Sequence, residues 1–248
     1  MIKLDTGMGR VGLQPTETAD FVEQALSRSG VEVCGLFTHF AAADEADSSF
    51  THSQLACLQQ IVQALREKGI ALPLLSAANS AATDAFPDAH FDAVRPGIIL
   101  YGLPPAPDMP LQIDLQPVMS LVTRIVHIKQ VPADTPVSYG CTHRTARPTW
   151  LATLPVGYAD GYSRHLSNKG FVLVNGIRRP VVGRVCMDQT VIDLGPECDA
   201  SVGDEAVLFG RQGESEITLT ELAVLAGTIN YELACAISPR VPRVYIDN

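Results

Sequence analysis

Apolar residues recur along this chain in two different rhythms, and the change comes near residue 110. In the first part, short apolar runs alternate with segments of helical spacing. Residues 2–5 read as a strand, and a loop with Gly7, Gly9 and Gly12 follows. Over 16–28, Phe21, Val22, Ala25 and Leu26 share one helical face. Residues 31–39 form a second apolar strand. Leu55, Leu58, Ile61, Val62 and Leu65 then mark one side of a long helix that ends at Lys68-Gly69. Residues 72–77 read as a third strand, and 91–101 hold a fourth.

Apolar strands separated by helices pair in parallel, with both faces covered. Chemistry in such sheets gathers at the strand C-termini. The polar residues cluster there: Asp5 to Arg10, Thr38-His39, Asn79-Ser80 and Arg95. The fold class expected is α/β plus mainly β. Four βα-like units are the C-terminal half of a (β/α)₈ TIM-type barrel, and half a barrel leaves open edges and an uncovered core. The first strand also follows Met1 directly. The expectation is therefore of barrel strands missing from the chain or supplied by a partner.

After the Pro-rich stretch 104–110 the pattern turns mostly antiparallel β. Residues 121–131 and 150–156 read as strands. Residues 171–174 and 177–182 flank Asn175-Gly176, a strong signal for a type I′ hairpin turn. Further strands are expected at 181–187, 190–194 and 205–209. Two helices close the chain, at 218–226 and at 229–236 with Thr228 as N-cap. The domains expected are 1–110, a partial barrel, and 111–248, a β domain.

Composition narrows the function. With 18 Lys plus Arg against 27 Asp plus Glu, the net charge is −9, which argues against nucleic acid held by phosphate neutralisation. At 46% hydrophobic and 18% charged residues the chain is globular, and it has no apolar run long enough for a membrane span. Six cysteines occur without Cys-x-x-Cys or zinc-finger spacing, and the histidines show no metal spacing. Scattered reduced cysteines fit a cytoplasmic protein.

The densest local signal is Asp5-Thr6-Gly7-Met8-Gly9-Arg10-Val11-Gly12. Alone, it reads equally as a tight strand-to-helix loop. Lys3 lies within a strand, where a charge is costly unless paired or modified. Arg95-Pro96-Gly97-Ile98 follows a strand and suits a phosphate, although no Walker or dinucleotide fingerprint is present. Four of the six tyrosines stand in glycine-bearing contexts, among them Val137-Ser138-Tyr139-Gly140 and Gly157-Tyr158-Ala159-Asp160-Gly161-Tyr162. A tyrosine acts as acid or base only when cations lower its pKa of about 10; otherwise it packs. Gly183-Arg184-Val185-Cys186-Met187-Asp188 ends another strand with polar groups.

In this order, these pieces resemble the alanine racemase family of pyridoxal-phosphate enzymes. Phe37-Thr38-His39-Phe40-Ala41, Ala78-Asn79-Ser80 and Thr228-Ile229-Asn230-Tyr231-Glu232 add to the match, which spans essentially the whole chain. The resemblance implies interconversion of L- and D-alanine with pyridoxal 5′-phosphate, supplying D-alanine for peptidoglycan. It implies that Tyr139 exchanges a proton with the substrate α-carbon. Arg95 faces the pyridine nitrogen, and His39 is bonded into the same network. Asn79, Ser80, Gly97, Ile98 and Tyr231 fall at the cofactor, the last four at its phosphate. Arg10 lies near the substrate carboxylate, Met187 meets that carboxylate through its backbone, and Tyr158 and Asp188 line the entrance. Lys3 matches a lysine carbamylated in the family, whose new carboxylate holds Arg10. The resemblance also implies a homodimer with a shared active site, a small amino-acid substrate and a cytoplasmic location.

One departure is large. The family's cofactor lysine lies in a Lys-Ala-Asn-like motif, and none of Lys3, Lys68, Lys129 and Lys169 is followed by Ala-Asn. The expectation is of an incomplete enzyme that needs an N-terminal half. The alternatives are an inactive cofactor-binding or dimerisation module of the same fold, and a racemase of another small amino acid such as serine.

Overall fold

Three short parallel strands organise the first part of the chain in the computed structural model, which describes residues 1–246. Strands β1 (Ile2–Lys3), β2 (Gly35–Phe37) and β3 (Leu74–Ser76) pair in the order β1-β2-β3, with Ile2 opposite Leu36 and Leu36 opposite Leu75. Helix α1 (Thr18–Leu26) joins the first pair and α2 (Ser49–Glu67) the second, giving parallel strands their usual crossovers. Helix α3 (Ser80–Ala85) starts immediately beyond β3, where the Asn79 side chain caps the Ala82 N–H at 3.0 Å. Leu4, Val22, Leu36, Phe40, Leu58 and Leu65 fill the core between sheet and helices. These elements belong to a compact unit that spans Met1–Gln116.

The expected fourth strand over 91–101 does not form. Phe91 sits at φ +48°, Pro96 has no N–H, and residues Ile98–Tyr101 wind into a 3₁₀ turn that Gly102 ends at φ +70°. Two hydrogen bonds, Asp92 N–H to Leu75 O and Arg95 N–H to Ala78 O, hold this segment beside β3 without building a ladder. The described unit thus holds three paired strands rather than four.

The second unit, Pro117–Asn248, is mainly antiparallel. Its strands are β4 (Leu121–Arg124), β5 (His127–Val131), β6 (Pro136–Val137), β7 (His143–Arg144), β8 (Thr149–Leu154), β9 (Phe171–Val174), β10 (Ile177–Pro180), β11 (Thr190–Gly195), β12 (Glu205–Gln212) and β13 (Ser215–Ile217). One sheet runs β10-β9-β12-β13, with β4 also on β12; another runs β11-β8-β5; β6 and β7 form a small hairpin. The β9–β10 hairpin turns through Asn175 and Gly176, both at positive φ (+54° and +74°), as the Asn-Gly signal requires. Val172, Leu173, Ile192, Leu194 and Leu208 are fully buried in this unit.

Three further expectations need correction. The run 121–131 is two strands, because Ile125 N–H turns to Asp204 O while Val126 N–H turns to Thr153 O; β4 and β5 therefore join different sheets. Residues 181–187 form no strand. Val181 makes one bridge to Ile192, and Gly183 at φ +76° then ends the extended run. Helices α4 (Leu219–Ala226) and α5 (Asn230–Ala236) close the unit, and Thr218 caps α4 as its sequence suggests. The N-cap of α5 is Ile229, not Thr228, whose hydroxyl bonds the Glu232 carboxylate instead.

Candidate active site

The candidate residues fall into two groups, one in each unit. In the first unit they stand at the C-terminal ends of β1, β2 and β3, as expected of a parallel sheet. Arg95 is the hub. Its Nη2 donates to Thr38 O (2.6 Å) and Ala77 O (3.3 Å) and lies 3.4 Å from His39 Nδ1, while Nη1 donates to Ser76 Oγ. Its guanidinium also rests 5.3 Å from the centre of the Phe37 ring. Among the described residues no carboxylate pairs with it. Burial pushes the Arg95 pKa down from its ordinary value. His39 is also held below the ordinary histidine range, by burial first and then by the cations Arg95, Arg10 and Lys3.

Lys3 is the strand lysine that the sequence marks as awkward. Its ammonium donates to Leu4 O at 3.0 Å and lies 5.4 Å from the centre of the Phe37 ring. Burial lowers its pKa, Asp5 opposes that, and Arg95 and Arg10 add to it. The Asp5 carboxylate accepts the N–H groups of Gly7 (3.1 Å) and Gly9 (3.0 Å), which holds its pKa below the usual range and shapes the loop carrying Arg10. That loop folds back onto β1 through Leu13 N–H to Lys3 O and Asp5 N–H to Leu13 O, both 2.9 Å. Gly12 makes this possible, since a Cβ there would stand 2.7 Å from the Asp5 nitrogen.

Ser80, Gly97 and Ile98 meet at one point. The Gly97 N–H donates to Ser80 Oγ at 2.7 Å, so the serine hydroxyl keeps its own hydrogen to donate to an acceptor. Ile98 opens the 3₁₀ turn after Gly97. Asn79 faces inward instead: besides its cap, its amide donates to Phe40 O at 3.4 Å.

In the second unit three loops interlock. Tyr139 lies just beyond β6 and is 73% exposed, flanked by Ser138 (φ +60°), Gly140 (+72°) and Cys141 (+49°). Ser138 Oγ donates to Arg184 O at 2.6 Å and touches Cys186 Sγ at 3.4 Å, binding this loop to residues 184–187. The Tyr158 loop joins them through Tyr158 N–H to Cys186 O (3.0 Å) and Ala159 N–H to Met187 O (2.8 Å). Gly157 permits that approach, because a Cβ there would lie 2.2 Å from Cys186 O. Tyr139, Tyr158, Met187 and Asp188 thus stand exposed on one set of tied loops, and Tyr231 stands in the first turn of α5.

This ordered set of sites matches known proteins end to end. Residues 1–105 match the family described as "Alanine racemase, N-terminal domain", and residues 118–245 match "Alanine racemase, C-terminal domain". The chain belongs to the alanine racemase family. The alanine racemase of Halothermothrix orenii is 51% identical over 244 residues, which are 98% of this chain and 64% of that protein. That of Carboxydothermus hydrogenoformans is 48% identical over 246 residues, 99% of this chain and 67% of that protein. Among solved structures, alanine racemase from Streptomyces lavendulae superposes with a TM-score of 0.94 at 40% identity, over all of this chain and 66% of that one. The Bacillus anthracis racemase, crystallised with bound L-Ala-P, gives 0.91 at 43%, over all of this chain and 64% of that one. The chain thus spans about two thirds of the length of the racemases it matches.

The hydrogen bonds also show positioning roles that the sequence leaves unmarked. Ser76, Thr38 and Ala77 orient Arg95, and Ser138 and Gly157 tie the tyrosine-bearing loops. Thr38, Ser138 and Gly157 lie inside the motifs read from the sequence without being singled out there, and Ser76 and Ala77 lie outside them. Among the described residues no group of three or more His, Cys, Asp or Glu side chains is placed to hold a metal ion, and no helix is long and apolar enough to cross a membrane.

Proposed function

We propose that this chain takes part in the interconversion of L- and D-alanine, with pyridoxal 5′-phosphate as cofactor. The observation that carries the reading is Arg95: a half-buried guanidinium, oriented by three oxygens and His39, with no carboxylate partner among the described residues. The residues fit the cofactor. A guanidinium that only donates suits a pyridine nitrogen kept unprotonated. The Ser80 hydroxyl, with Gly97 and Ile98 beside it, suits a phosphate. When bound, the cofactor supplies an electron-withdrawing ring that makes an amino-acid α-proton removable. Arg95 holds the ring nitrogen without giving it a proton, which tempers that withdrawal. His39 and the oxygens of Ser76, Thr38 and Ala77 fix the guanidinium. Tyr139 accepts or returns the α-proton through its phenol oxygen, and Met187 meets the substrate carboxylate. Arg10, held by a carbamylated Lys3, completes the substrate side, with Tyr158 and Asp188 at the entrance and Tyr231 at the phosphate.

In this reading residues 1–110 are part of a (β/α)₈ barrel, and 111–248 bring the tyrosine to a second copy's barrel in a homodimer. Six cysteines without disulfide partners support a reducing, cytoplasmic setting. The second acid/base and the cofactor attachment require a lysine that the motifs of this chain do not provide. Lys68 pairs with Glu23 at 2.7 Å, Lys169 reaches Leu225 O, and Lys129 lies on β5.

The test supplies that lysine from outside. Purified chain is titrated with pyridoxal 5′-phosphate, alone and with the segment of the Halothermothrix orenii racemase that this chain does not span. Cofactor binding by the chain is expected to weaken about tenfold in Arg95→Ala and Ser80→Ala, the loss of roughly one charge-assisted hydrogen bond. Alanine racemisation, assayed beside serine, is expected only in the mixture, and Tyr139→Phe abolishes it. A borohydride-fixed label on one of the four lysines, with turnover by the chain alone, overturns the need for a second segment. Cofactor binding that fails, or that ignores both substitutions, favours an assembly module over an enzyme.

A further inference from the structure

Gln54 is fully buried on the core face of α2, among Leu55, Leu58 and Ile61. A primary amide in that setting costs several kcal/mol unless its hydrogen bonds are made. They are made, and all go to the loops beyond β1 and β2. Its Oε1 accepts the Ala41 N–H at 2.9 Å. Its Nε2 donates to His39 O and to Thr6 Oγ1, both at 3.1 Å. The partners fix the amide's orientation, because the Ala41 N–H can only donate and the His39 carbonyl can only accept.

The Thr6 hydroxyl, having accepted from Gln54, passes its hydrogen to Thr38 Oγ1 at 2.7 Å, and Thr38 passes its own to Leu4 O at 3.1 Å. A directed chain of three donors therefore runs from α2 across the end of β2 to the end of β1. The carbonyl of Thr38 is also the acceptor for Arg95 Nη2. Gln54 thus holds the backbone at His39 and Ala41, and through Thr6 it braces the residue that orients Arg95.

We propose that Gln54 is the positioning residue of the His39–Arg95 pair, setting by backbone bonds the direction in which the His39 ring meets the guanidinium. The assignment of that pair to the cofactor side of the site rests on the function proposed above; the positioning itself rests on the hydrogen bonds. The charged groups acting on the His39 ring are Arg95, Arg10 and Lys3. Loosening the loop admits water and lets the ring leave the guanidinium, and both effects favour the protonated ring.

The experiment follows the six imidazoles of the full chain by NMR across pH, without cofactor. In the parent protein His39 is expected to titrate below the ordinary histidine range. Gln54→Met preserves length and removes all three bonds, and His39 is expected to move up by about half a unit or more while the other histidines stay in place. Thr51→Val, on the same buried face of α2 but outside the network, leaves His39 unchanged. A destabilised Gln54→Met with an unmoved His39 makes Gln54 merely structural and overturns the proposal. If Gln54→Met does not fold, Thr6→Val decides: a smaller upward shift supports the inference, and none overturns it. A chain that shows these shifts but binds no pyridoxal 5′-phosphate refutes the functional reading and leaves the positioning role standing.

Discussion

His39 is kept where a proton is unwelcome, by burial and by three nearby cations. Its folded pKa lies below the unfolded value of about 6.5, so the unfolded chain takes up a proton first as pH falls. Stability from the neutral imidazole is present above about pH 6.5 and is lost as pH falls toward the folded pKa. Urea unfolding at stepped pH is expected to show that loss, and His39→Gln should flatten part of it. A slope unchanged in the variant removes His39 as the source. Arg95 makes a second case at this scale, because its removal leaves Thr38 O, Ala77 O and Ser76 without their charged donor. Arg95→Ala is expected to lower stability by about 2 kcal/mol in the same unfolding assay.

At the scale of elements, α2 carries two buried polar groups with opposite fates. Gln54 satisfies its amide, whereas the Thr51 hydroxyl is buried with no partner among the described residues. Thr51→Val replaces that hydroxyl with a methyl of similar shape, and a gain of about 1 kcal/mol is expected by denaturant midpoint. The loops of the second unit give the converse prediction. Gly157 lies so close to the backbone of Cys186 and Met187 that a methyl group cannot be seated without parting the loops. Gly157→Ala is expected to cost about 3 kcal/mol and to free Cys186, measured as faster thiol labelling of that residue. Labelling at the parent rate would show that the loops are not coupled there.

At the scale of the molecule, each unit fills a core of its own. Residues 117–248 alone are expected to give a β-rich circular dichroism spectrum and one cooperative melt; a broad, non-cooperative loss of signal would contradict an independent core. Much of this organisation is legible in the sequence. The face of α2, its end at Gly69 and the Asn175-Gly176 hairpin all rest on short-range rules of spacing and backbone freedom. The ordered glycine, arginine and tyrosine motifs carried the family, since each is a local string. What the sequence leaves undecided depends on partners distant in the chain. The runs 91–101 and 121–131 are apolar enough for strands, yet Pro96, Gly97 and the rival ladders of β8 and β12 divide them differently. Gln54 reads as a polar flaw on an apolar face until the fold brings Thr6, His39 and Ala41 within 3.1 Å of its amide. Local spacing determined the helix faces and the Asn-Gly turn; only the tertiary structure decided where the strands run and which hydrogen bonds join the elements, because those bonds link residues that no local pattern relates.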